Sequence, residues 1–548
     1  MSTTKVDDGR VHGDADGSPP QVRPMTARAI MVLGTSSHVG KSLTTAALCR
    51  IFARAGYRVS PFKAQNMSLN SAATPEGHEI GRAQALQAEA AGIAPSVLMN
   101  PVLIKPTGDA SSQIIVRGKV WGNLSANTYH LHRAITLLPI VEECYRKLAE
   151  AHDIIVIEGA GSPAEINLKD NDIVNMRIAK MANAPCLLVG DIDRGGVFAS
   201  LLGTCELLDE DERSYIRGFV INKFRGDQSL LMPGVRMMEQ RLNKPCLGVV
   251  PYLENLSLDE EDSVGFGHRA DSAWAVPQFS AGRIQIAVLA FPSISNFTDF
   301  DPLLNEPTVS LRFVREPADI DKAGVVILPG SKRTVSDLRW MQERGFEDSL
   351  RRFRQNGGLV IGICGGLQML GQEILDPYGV ESEGNARGLA LLQIRTTLAE
   401  KKVTVPARGT TSGNSFFVGH VDLLEVIGYE IHMGQTEYLA DALPFASLTR
   451  TGEGNHPFHD GCVSSDGRVF GTYLHGLFDH DPFRHAFLKT VHEILHLPEP
   501  ALLTSWGEQR KQELDRLADA FSDALDLSAI FALLHLEPPS AQPRGGCE

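Results

Sequence analysis

Short runs that are almost continuously apolar alternate with longer segments of helical periodicity from about residue 29 to residue 255. The runs predict strands at residues 29–33, 58–62, 153–157, 185–189, 218–221 and 246–250. Strands that are apolar at nearly every position and are separated by helices are typical of a parallel sheet covered on both faces. Ligands of such sheets bind beyond the carboxyl ends of the strands, so the polar residues that follow each strand are the candidates for function.

The same alternation resumes in the second half of the chain, after a stretch that is acidic, then rich in Gly, Ser and Ala, and poor in periodicity. It predicts strands at residues 284–289, 325–328, 358–363 and 468–474. A chain of 548 residues is too long for one core, so we expect an α/β protein with two or three domains.

These changes in pattern set the expected boundaries. We expect residues 28–256 to form the first domain, which contains a parallel sheet, and residues 283–500 to form the second, with residues 257–282 as the linker. Residues 1–27 are polar and rich in Asp and Gly, and we expect a disordered leader. In residues 501–548, Leu and Ala recur at helical spacing, which predicts a C-terminal helical tail that packs on the rest of the chain.

A glycine-rich loop joins the first predicted strand to a helical pattern over residues 43–55, and its sequence is Gly34-Thr35-Ser36-Ser37-His38-Val39-Gly40-Lys41-Ser42. A strand, a glycine loop and a helix that opens with Lys-Ser form a phosphate cradle, in which backbone N–H groups and the helix N-terminus face the anion. Gly34, Thr35 and Gly40 are therefore expected to contact a nucleotide. Lys41 would reach its outer phosphates, and the Ser42 hydroxyl would bind Mg²⁺. Five residues, not the usual four, separate the two glycines, and the alternative is a plain turn before an ordinary helix.

Three further polar residues follow predicted strands. Lys63 can reach the same crevice as Lys41. Glu158, which precedes a glycine-containing turn, is well placed for Mg²⁺, since that ion prefers oxygen ligands. Asn222 is a plausible edge for the nucleotide base. For each residue alone, the alternative is an ordinary solvated loop position.

Residues 64–150 are longer than a simple crossover between strands requires. The segment is polar and partly basic, and it includes Lys105, Arg117 and Lys119. It is either a site for an anionic substrate or a capping subdomain with ordinary surface charges.

The sequence Gly362-Ile363-Cys364-Gly365-Gly366 is typical of a nucleophile elbow with cysteine in the position of serine. The glycines permit a strained turn from strand to helix, and the helix N-terminus favours the thiolate. Backbone N–H groups at Gly365 and near Gly330 are the expected oxyanion hole. The alternative is a buried structural cysteine, which is the usual state of a free thiol.

His475 follows the predicted strand 468–474 and can reach a cysteine elbow as general acid and base. An acidic residue often orients such a histidine. Two positions after His475, where a Glu would often stand, the chain has Leu477. The sequence therefore predicts a Cys–His pair without identifying the group that orients the histidine.

A second histidine pattern, His492-Glu493-Ile494-Leu495-His496, matches the zinc motif H-E-x-x-H. It lies close to Pro498, where the helix should end, and the sequence shows no third ligand nearby. We therefore do not expect a zinc protease.

Composition narrows the class of protein further. The net charge of −14 argues against a nucleic-acid partner, and no apolar run approaches the length that spans a bilayer. The eight cysteines are scattered without paired spacing, which indicates the reduced cytoplasm. A homo-oligomer is compatible with the sequence, which does not specify one.

Taken together, these motifs resemble known families. The loop at residues 34–42 with its extra residue, Lys63 and Glu158-Gly159-Ala160-Gly161 resemble the dethiobiotin synthetase-like P-loop family. The second half of the chain resembles the flavodoxin-like class I glutamine amidotransferases. The motifs that carry this resemblance are Pro329-Gly330-Ser331, Gly362-Ile363-Cys364-Gly365-Gly366 and Tyr473-Leu474-His475-Gly476. In this order, and with the sequences at residues 62–68 and 428–434, the chain resembles the cobyric acid synthase family over about residues 28–500.

The resemblance implies a reaction. Members of this family amidate the b, d, e and g carboxylates of adenosylcobyrinic acid a,c-diamide, with L-glutamine as nitrogen donor and consumption of ATP with Mg²⁺. Cys364 and His475 would then release ammonia, and Lys41 and Lys63 would assist activation of the carboxylate. Two alternatives stay open: the related cobyrinic acid a,c-diamide synthase, and a ParA- or MinD-like ATPase switch, which has no use for the cysteine elbow.

Overall fold

The computed structural model describes residues 27–538, with gaps at 107–110, 126–135, 255, 257, 259–281, 382–383, 414–422, 453–455 and 499–502. The expected leader, except for its last residue, lies outside the described residues. So does the expected linker, except for residues 258 and 282. Among the helices that are described, none is long and apolar enough to cross a membrane.

The first domain is built on a six-stranded sheet in which every pair of neighbours is parallel. From edge to edge the strands are Cys246–Pro251, Ile216–Phe224, Cys186–Asp191, Arg28–Gly34, Ile154–Glu158 and Val59–Phe62. All six predicted strands are confirmed, with ends displaced by a few residues. The central strand is buried, and its alternate residues enter two separate apolar clusters: Met31 and Leu33 on one face, Ile30 and Val32 on the other.

Helices cover both faces of this sheet. In chain order they are Lys41–Arg54, Arg82–Ala90, Leu138–Ala151, Met176–Met181, Val197–Glu206, Glu210–Tyr215 and Gln228–Leu242, with a 3₁₀ turn at Ile166–Asn171. The helix that begins at Lys41 follows the glycine loop directly, as the sequence predicts. In the register of the sheet, Val32 lies beside Glu158 and Gly34 beside Val189, so the loop and Glu158 share one edge.

The segment at residues 64–150 includes a small subdomain at that edge. Its four-stranded sheet has the order Gln65–Met67, Val102–Pro106, Ser111–Val116 and Lys119–Ser125, and a hairpin pairs Ser71–Ala73 with Glu79–Gly81. The subdomain contacts the second domain through polar side chains: Lys402 donates to Glu79, and the Asn296 amide donates to the Ser71 carbonyl at 3.1 Å. It therefore lies between the two domains.

The second domain contains two sheets. The first has the order Val309–Val314, Ile284–Leu289, Val325–Leu328, Leu359–Ile363, Val469–Thr472 and Cys462–Val463, and only the last pair is antiparallel. The second sheet comprises Glu373–Leu375, Ala386–Arg387, Ile394–Thr411, Glu425–Tyr438, Ala446–Arg450, Phe458–Asp460 and Leu474–His475. The sequence did not predict this mostly antiparallel sheet.

The predicted strand at residues 468–474 is wrong in one respect, because it divides between the two sheets. Its first part, Val469–Thr472, lies in the parallel sheet, and Leu474 pairs with the strand Glu425–Tyr438 of the other sheet. At the break, the Asp460 carboxylate accepts from the Thr472 hydroxyl and from the Tyr473 N–H at 3.1 Å. The division carries His475 away from the first sheet toward the second.

The helices of the second half are Asp301–Leu304, Thr334–Glu343, Phe346–Gln355, Gly365–Leu370, Asp481–Ile494, Trp506–Ala524 and Leu527–Leu533, with 3₁₀ turns at Phe297–Phe300, Pro317–Lys322 and Leu477–Asp479. The last two helices, Trp506–Ala524 and Leu527–Leu533, lie in the segment for which helical spacing predicts a tail. They pack on the first domain, where Phe531 meets Phe52 edge to face at 5.2 Å. The tail also forms ion pairs with that domain, at Arg510–Glu89 and Arg50–Asp515.

Candidate active sites

The glycines of the phosphate loop are required by the close packing around them. A side chain at Gly34 would come within 2.6 Å of the Val39 side chain. Gly40 has a φ of 102°, and a Cβ there would meet the Asn222 amide nitrogen at 2.0 Å. The loop therefore takes a tight path that only glycine permits at these two positions. The Thr35 N–H donates to the Val189 carbonyl at 3.0 Å, which fixes the start of the loop on the sheet.

Lys41 lies across the mouth of this loop. Its Nζ donates to the Ser36 carbonyl at 2.8 Å and to the Gly161 carbonyl at 3.1 Å, and the residue is largely buried. The ammonium therefore sits where the loop and the turn after Glu158 meet. A contact of Lys41 with the phosphates of a nucleotide stays a prediction.

A fully buried carboxylate, Glu158, collects three donors beside the loop. The Ser42 hydroxyl donates to its Oε1 at 2.8 Å, Lys63 Nζ donates to the same atom at 2.9 Å, and Gln87 Nε2 donates to Oε2 at 2.6 Å. The oxygens of Ser42 and Glu158 are hard donors close together, and they fit a magnesium ion. The structure thus brings Lys63, Ser42 and Glu158 to one point, as the order of the strands predicts.

Gln87 is a member of this cluster that the sequence analysis missed. It lies on the helix Arg82–Ala90, with Gln84 three residues earlier, and both side chains are buried. Two glutamines on the inward face of a short helix are unusual, because long polar side chains are seldom fully buried without partners. The spacing of these two glutamines was the feature of the sequence that could have indicated a polar cluster here.

Asn222 lies against the phosphate loop. Its amide nitrogen donates to the Val39 carbonyl at 2.8 Å. The next residue, Lys223, donates to the His38 carbonyl at 2.7 Å and to Asp191 at 2.8 Å. Both side chains therefore hold the backbone of the loop in place. A contact of Asn222 with a nucleotide base stays a prediction.

The cysteine elbow has the predicted geometry. Cys364 connects the strand Leu359–Ile363 to the helix Gly365–Leu370 with φ 52° and ψ −105°, a conformation that is costly for a residue with a side chain. A Cβ on Gly366 would meet the Leu328 carbonyl oxygen at 2.0 Å, so only glycine fits there. The Cys364 N–H is held by the Thr472 carbonyl at 2.8 Å.

His475 is oriented by a residue that the sequence did not reveal, Asp299. The aspartate Oδ2 lies 2.6 Å from His475 Nδ1, and its Oδ1 accepts from the Gly476 N–H at 3.1 Å. Burial acts to lower the pKa of His475, but the charges of Asp299 and Cys364 outweigh that effect and raise the pKa to about 10. The site therefore holds a thiol, an imidazole and a carboxylate, arranged as an activated nucleophile requires.

Gly330 and Gly365, the predicted oxyanion-hole residues, lie beside this group. A Cβ on Gly330 would come within 3.2 Å of His475 Cε1, and one on Gly365 would come within 2.9 Å of the Ser331 N–H nitrogen. The loop after the strand Val325–Leu328 and the start of the elbow helix are thus adjacent. The role of their N–H groups stays a prediction.

Cys364 and His475 open into a cavity of about 450 Å³ that both domains line. The small subdomain contributes Lys105 and Gln113, and the second domain contributes Lys332 and Lys402. Arg117, which the sequence analysis grouped with Lys105, does not line it and pairs with Glu143. Of the basic residues named for this segment, Lys105 is the one at the site.

The H-E-x-x-H pattern does not form a helical pair of ligands. The helix Asp481–Ile494 ends before His496, whose φ of 54° takes it out of helical geometry. His492 is buried, and burial lowers its pKa. The two imidazoles are therefore not presented on one face of one helix.

Comparison with known proteins agrees with this division of the chain. Residues 30–264 match the family of the CobQ/CobB/MinD/ParA nucleotide binding domain, and residues 285–483 match the CobB/CobQ-like glutamine amidotransferase domain.

Similar proteins also match along nearly the whole chain. The cobyric acid synthase of Moorella thermoacetica is 49% identical over 518 residues, which cover 94% of this chain and 98% of that protein. The cobyric acid synthase of Sorangium cellulosum is 49% identical over 528 residues, 94% of this chain and 100% of its own length. The cobyric acid synthase of Pelotomaculum thermopropionicum is 49% identical over 527 residues, which cover 95% of this chain and 99% of that protein. With both of its sites on one chain and this degree of identity from end to end, the protein belongs to the cobyric acid synthase family.

Proposed function

We propose that the protein amidates the b, d, e and g carboxylates of adenosylcobyrinic acid a,c-diamide, using ATP and L-glutamine, to give adenosylcobyric acid. The observation that carries the proposal is the Cys364–His475–Asp299 group on the same chain as a phosphate loop. One site suits release of ammonia from an amide, and the other suits activation of a carboxylate by a nucleotide.

The glutaminase half follows from the arrangement of the triad. The Cys364 sulfur attacks the side-chain amide carbon of glutamine, and the backbone N–H groups near Gly330 and Gly365 stabilise the resulting oxyanion. His475, held by Asp299, gives its proton to the departing nitrogen as the C–N bond breaks. Water, deprotonated by the same imidazole, then cleaves the thioester and releases glutamate.

The synthetase half has to make a carboxylate reactive. A carboxylate does not condense with ammonia at neutral pH, because oxide is a very poor leaving group. Transfer of the terminal phosphoryl group of ATP to the carboxylate gives an acyl phosphate, from which ammonia displaces phosphate. Lys41 would stabilise the charge of the transferring group, and Lys63 would contribute a second cation. Mg²⁺ bound by Ser42 and Glu158 would supply further positive charge at the phosphates.

The two alternatives receive less support. A ParA- or MinD-like switch has no use for an amidotransferase domain, whereas residues 285–483 form one. A cobyrinic acid a,c-diamide synthase would amidate two carboxylates, yet the relatives described above share the whole chain and are cobyric acid synthases.

We also infer that the protein works in the reduced cytoplasm. All seven cysteines in the described part of the chain are free thiols, and most of them are buried. A homo-oligomer stays a prediction.

Product analysis tests the proposed reaction. The protein is incubated with the diamide corrinoid, ATP, Mg²⁺ and glutamine labelled with ¹⁵N in its side-chain amide, and the corrinoid is examined by mass spectrometry. We expect four labelled amides. Amidation of cobyrinic acid at the a and c positions, with no reaction of the diamide, would instead assign the related synthase.

A further inference from the structure

The cavity above Cys364 carries an unusual concentration of buried positive charge. Lys105 Nζ donates to Oε1 of Glu79 at 2.6 Å, and Lys402 Nζ donates to Oε2 of the same carboxylate. A third lysine, Lys332, lines the same cavity. Buried charges are normally paired one to one, because an uncompensated charge is expensive to bury. Here two ammonium groups share one carboxylate and a third stands beside them. Glu381 also lines the cavity, but its two oxygens accept from the N–H groups of Thr334 and Val335 at 2.9 and 2.8 Å.

Lys332 is the group without a carboxylate of its own. Its Nζ has a neutral partner, the Gln113 amide oxygen at 3.0 Å, and within the part of the chain that the structure describes no carboxylate forms an ion pair with it. Burial, together with the charges of Lys402 and Lys105, lowers the pKa of Lys332 to about 7. An ammonium group has three N–H donors, so Lys332 can serve an additional acceptor in the cavity.

The position of this charge relative to the nucleophile limits what it can bind. Cys364 and His475 line the same cavity, and the charge of Cys364 is close enough to affect the pKa of Lys402. A volume of about 450 Å³ accommodates a free amino acid that places its side-chain amide at the sulfur. The α-carboxylate of that amino acid lies a few bonds from the reacting carbon and needs a cationic partner near the nucleophile.

We propose that Lys332, supported by Lys105 and Lys402, is the subsite for the α-carboxylate of the amino-acid nitrogen donor. The inference rests on the proposed function, since it presumes that the donor is hydrolysed at Cys364. Because Lys332 contacts Gln113 of the first domain, the subsite is complete only when the two domains are in contact. A carboxylate bound there gives Lys332 the ion-pair partner that it lacks among the described residues.

The test compares two substrates in the full-length protein. Glutamine carries the α-carboxylate, and 4-aminobutanamide is the same molecule without it. Ammonia release from each is measured for the wild type, for Lys332→Gln and for Lys332→Arg. We expect Lys332→Gln to lower kcat/KM for glutamine by about tenfold to a hundredfold, mainly through KM, because one charged hydrogen bond is lost. It should leave kcat/KM for 4-aminobutanamide unchanged, and Lys332→Arg should retain part of the preference for glutamine.

The matched control is Lys401→Gln, which removes a charge from an exposed neighbour of Lys402 outside the cavity. An equal loss with both substrates would mean a structural role and would overturn the subsite. The proposal would also be overturned if Lys332→Gln raised KM for the corrinoid in ammonium-driven amidation and left glutamine hydrolysis unaffected. Lys332 would then bind a carboxylate of the corrinoid. If the wild type itself fails to hydrolyse glutamine, the proposed function fails before the subsite is tested.

Discussion

At the scale of single residues, the two sites are built from side chains that are far apart in the chain. Asp299 and His475 are separated by 176 residues, and Ser42 and Glu158 by 116. The order of the strands was enough to bring Ser42, Lys63 and Glu158 together, because the carboxyl ends of parallel strands share one edge. No comparable rule places Asp299, because it lies in a 3₁₀ turn and not at the end of a strand. The sequence therefore did not identify the partner of His475.

The first prediction concerns this aspartate. Asp299→Asn keeps the shape of the side chain but removes the charge that holds the imidazole in its acid–base role. We expect kcat for glutamine hydrolysis to fall by about ten-thousandfold, the order found when a histidine-orienting carboxylate is neutralised. KM for glutamine should change little. Glutamate release measures both, and Asp321→Asn, at an exposed position, is the control. A kcat equal to that of the control would show that Asp299 does not orient His475.

The second prediction concerns Lys41. Lys41→Ala should abolish corrinoid amidation with either glutamine or ammonium salts, because the transferring phosphoryl group loses the cation held at the mouth of the loop. Glutamine hydrolysis by the same variant is the internal control for folding. Undiminished amidation with either donor would show that the loop at residues 34–42 does not bind the phosphates of ATP through Lys41.

At the scale of elements, the parallel sheets were predictable and the antiparallel sheet was not. The strands of the first domain are buried on both faces and stand out as apolar runs. The long strand Ile394–Thr411 has alternating buried and partly exposed positions, and its partners lie at several places in the chain. Such a strand has a weak local signal, because only one of its faces is apolar.

An element-scale prediction concerns the contact that joins the domains. Asn296 has a φ of 52°, begins the turn that carries Asp299, and bonds the Ser71 N–H and carbonyl of the first domain at 3.3 and 3.1 Å. Asn296→Gly keeps the backbone free to adopt this conformation and deletes both bonds, together with the bond from the Asn296 amide to the Tyr429 hydroxyl at 3.3 Å. We expect kcat for glutamine hydrolysis to fall by about tenfold, the equivalent of one to two neutral hydrogen bonds.

Ammonium-driven amidation by Asn296→Gly should stay near the wild-type rate, because the phosphate loop is untouched. Loss of amidation with both donors would mean that the substitution unfolds the domain contact as a whole.

The tail gives a prediction about stability. Phe531 is fully buried against Phe52 of the first domain. Phe531→Ala should lower the free energy of unfolding of that domain by about 3–5 kcal/mol, the usual result of removing a buried phenylalanine. Urea unfolding followed by circular dichroism measures the change, and Leu207→Ala, at a half-exposed position, is the control. Equal midpoints for the two variants would mean that the tail contributes little to the domain.

At the scale of the whole molecule, the small subdomain connects the two sites. Its hairpin residue Glu79 accepts from Lys402 of the second domain, and a few residues later Gln87 donates to Glu158 beside the phosphate loop. The helix that contains Gln87 rises about 1.5 Å per residue, so the sites are joined by a short, rigid element. Ammonia would be protonated in bulk water, and we therefore infer that it passes between the sites within the protein.

The central claim is that one chain divides the work between a site that releases ammonia and a site that activates the acid. The most direct measurement is corrinoid amidation by Cys364→Ala with each nitrogen donor. The account predicts that glutamine supports no product, whereas ammonium salts still support amidation that depends on ATP and on Lys41. Equal loss with both donors, or full activity with glutamine, would contradict it.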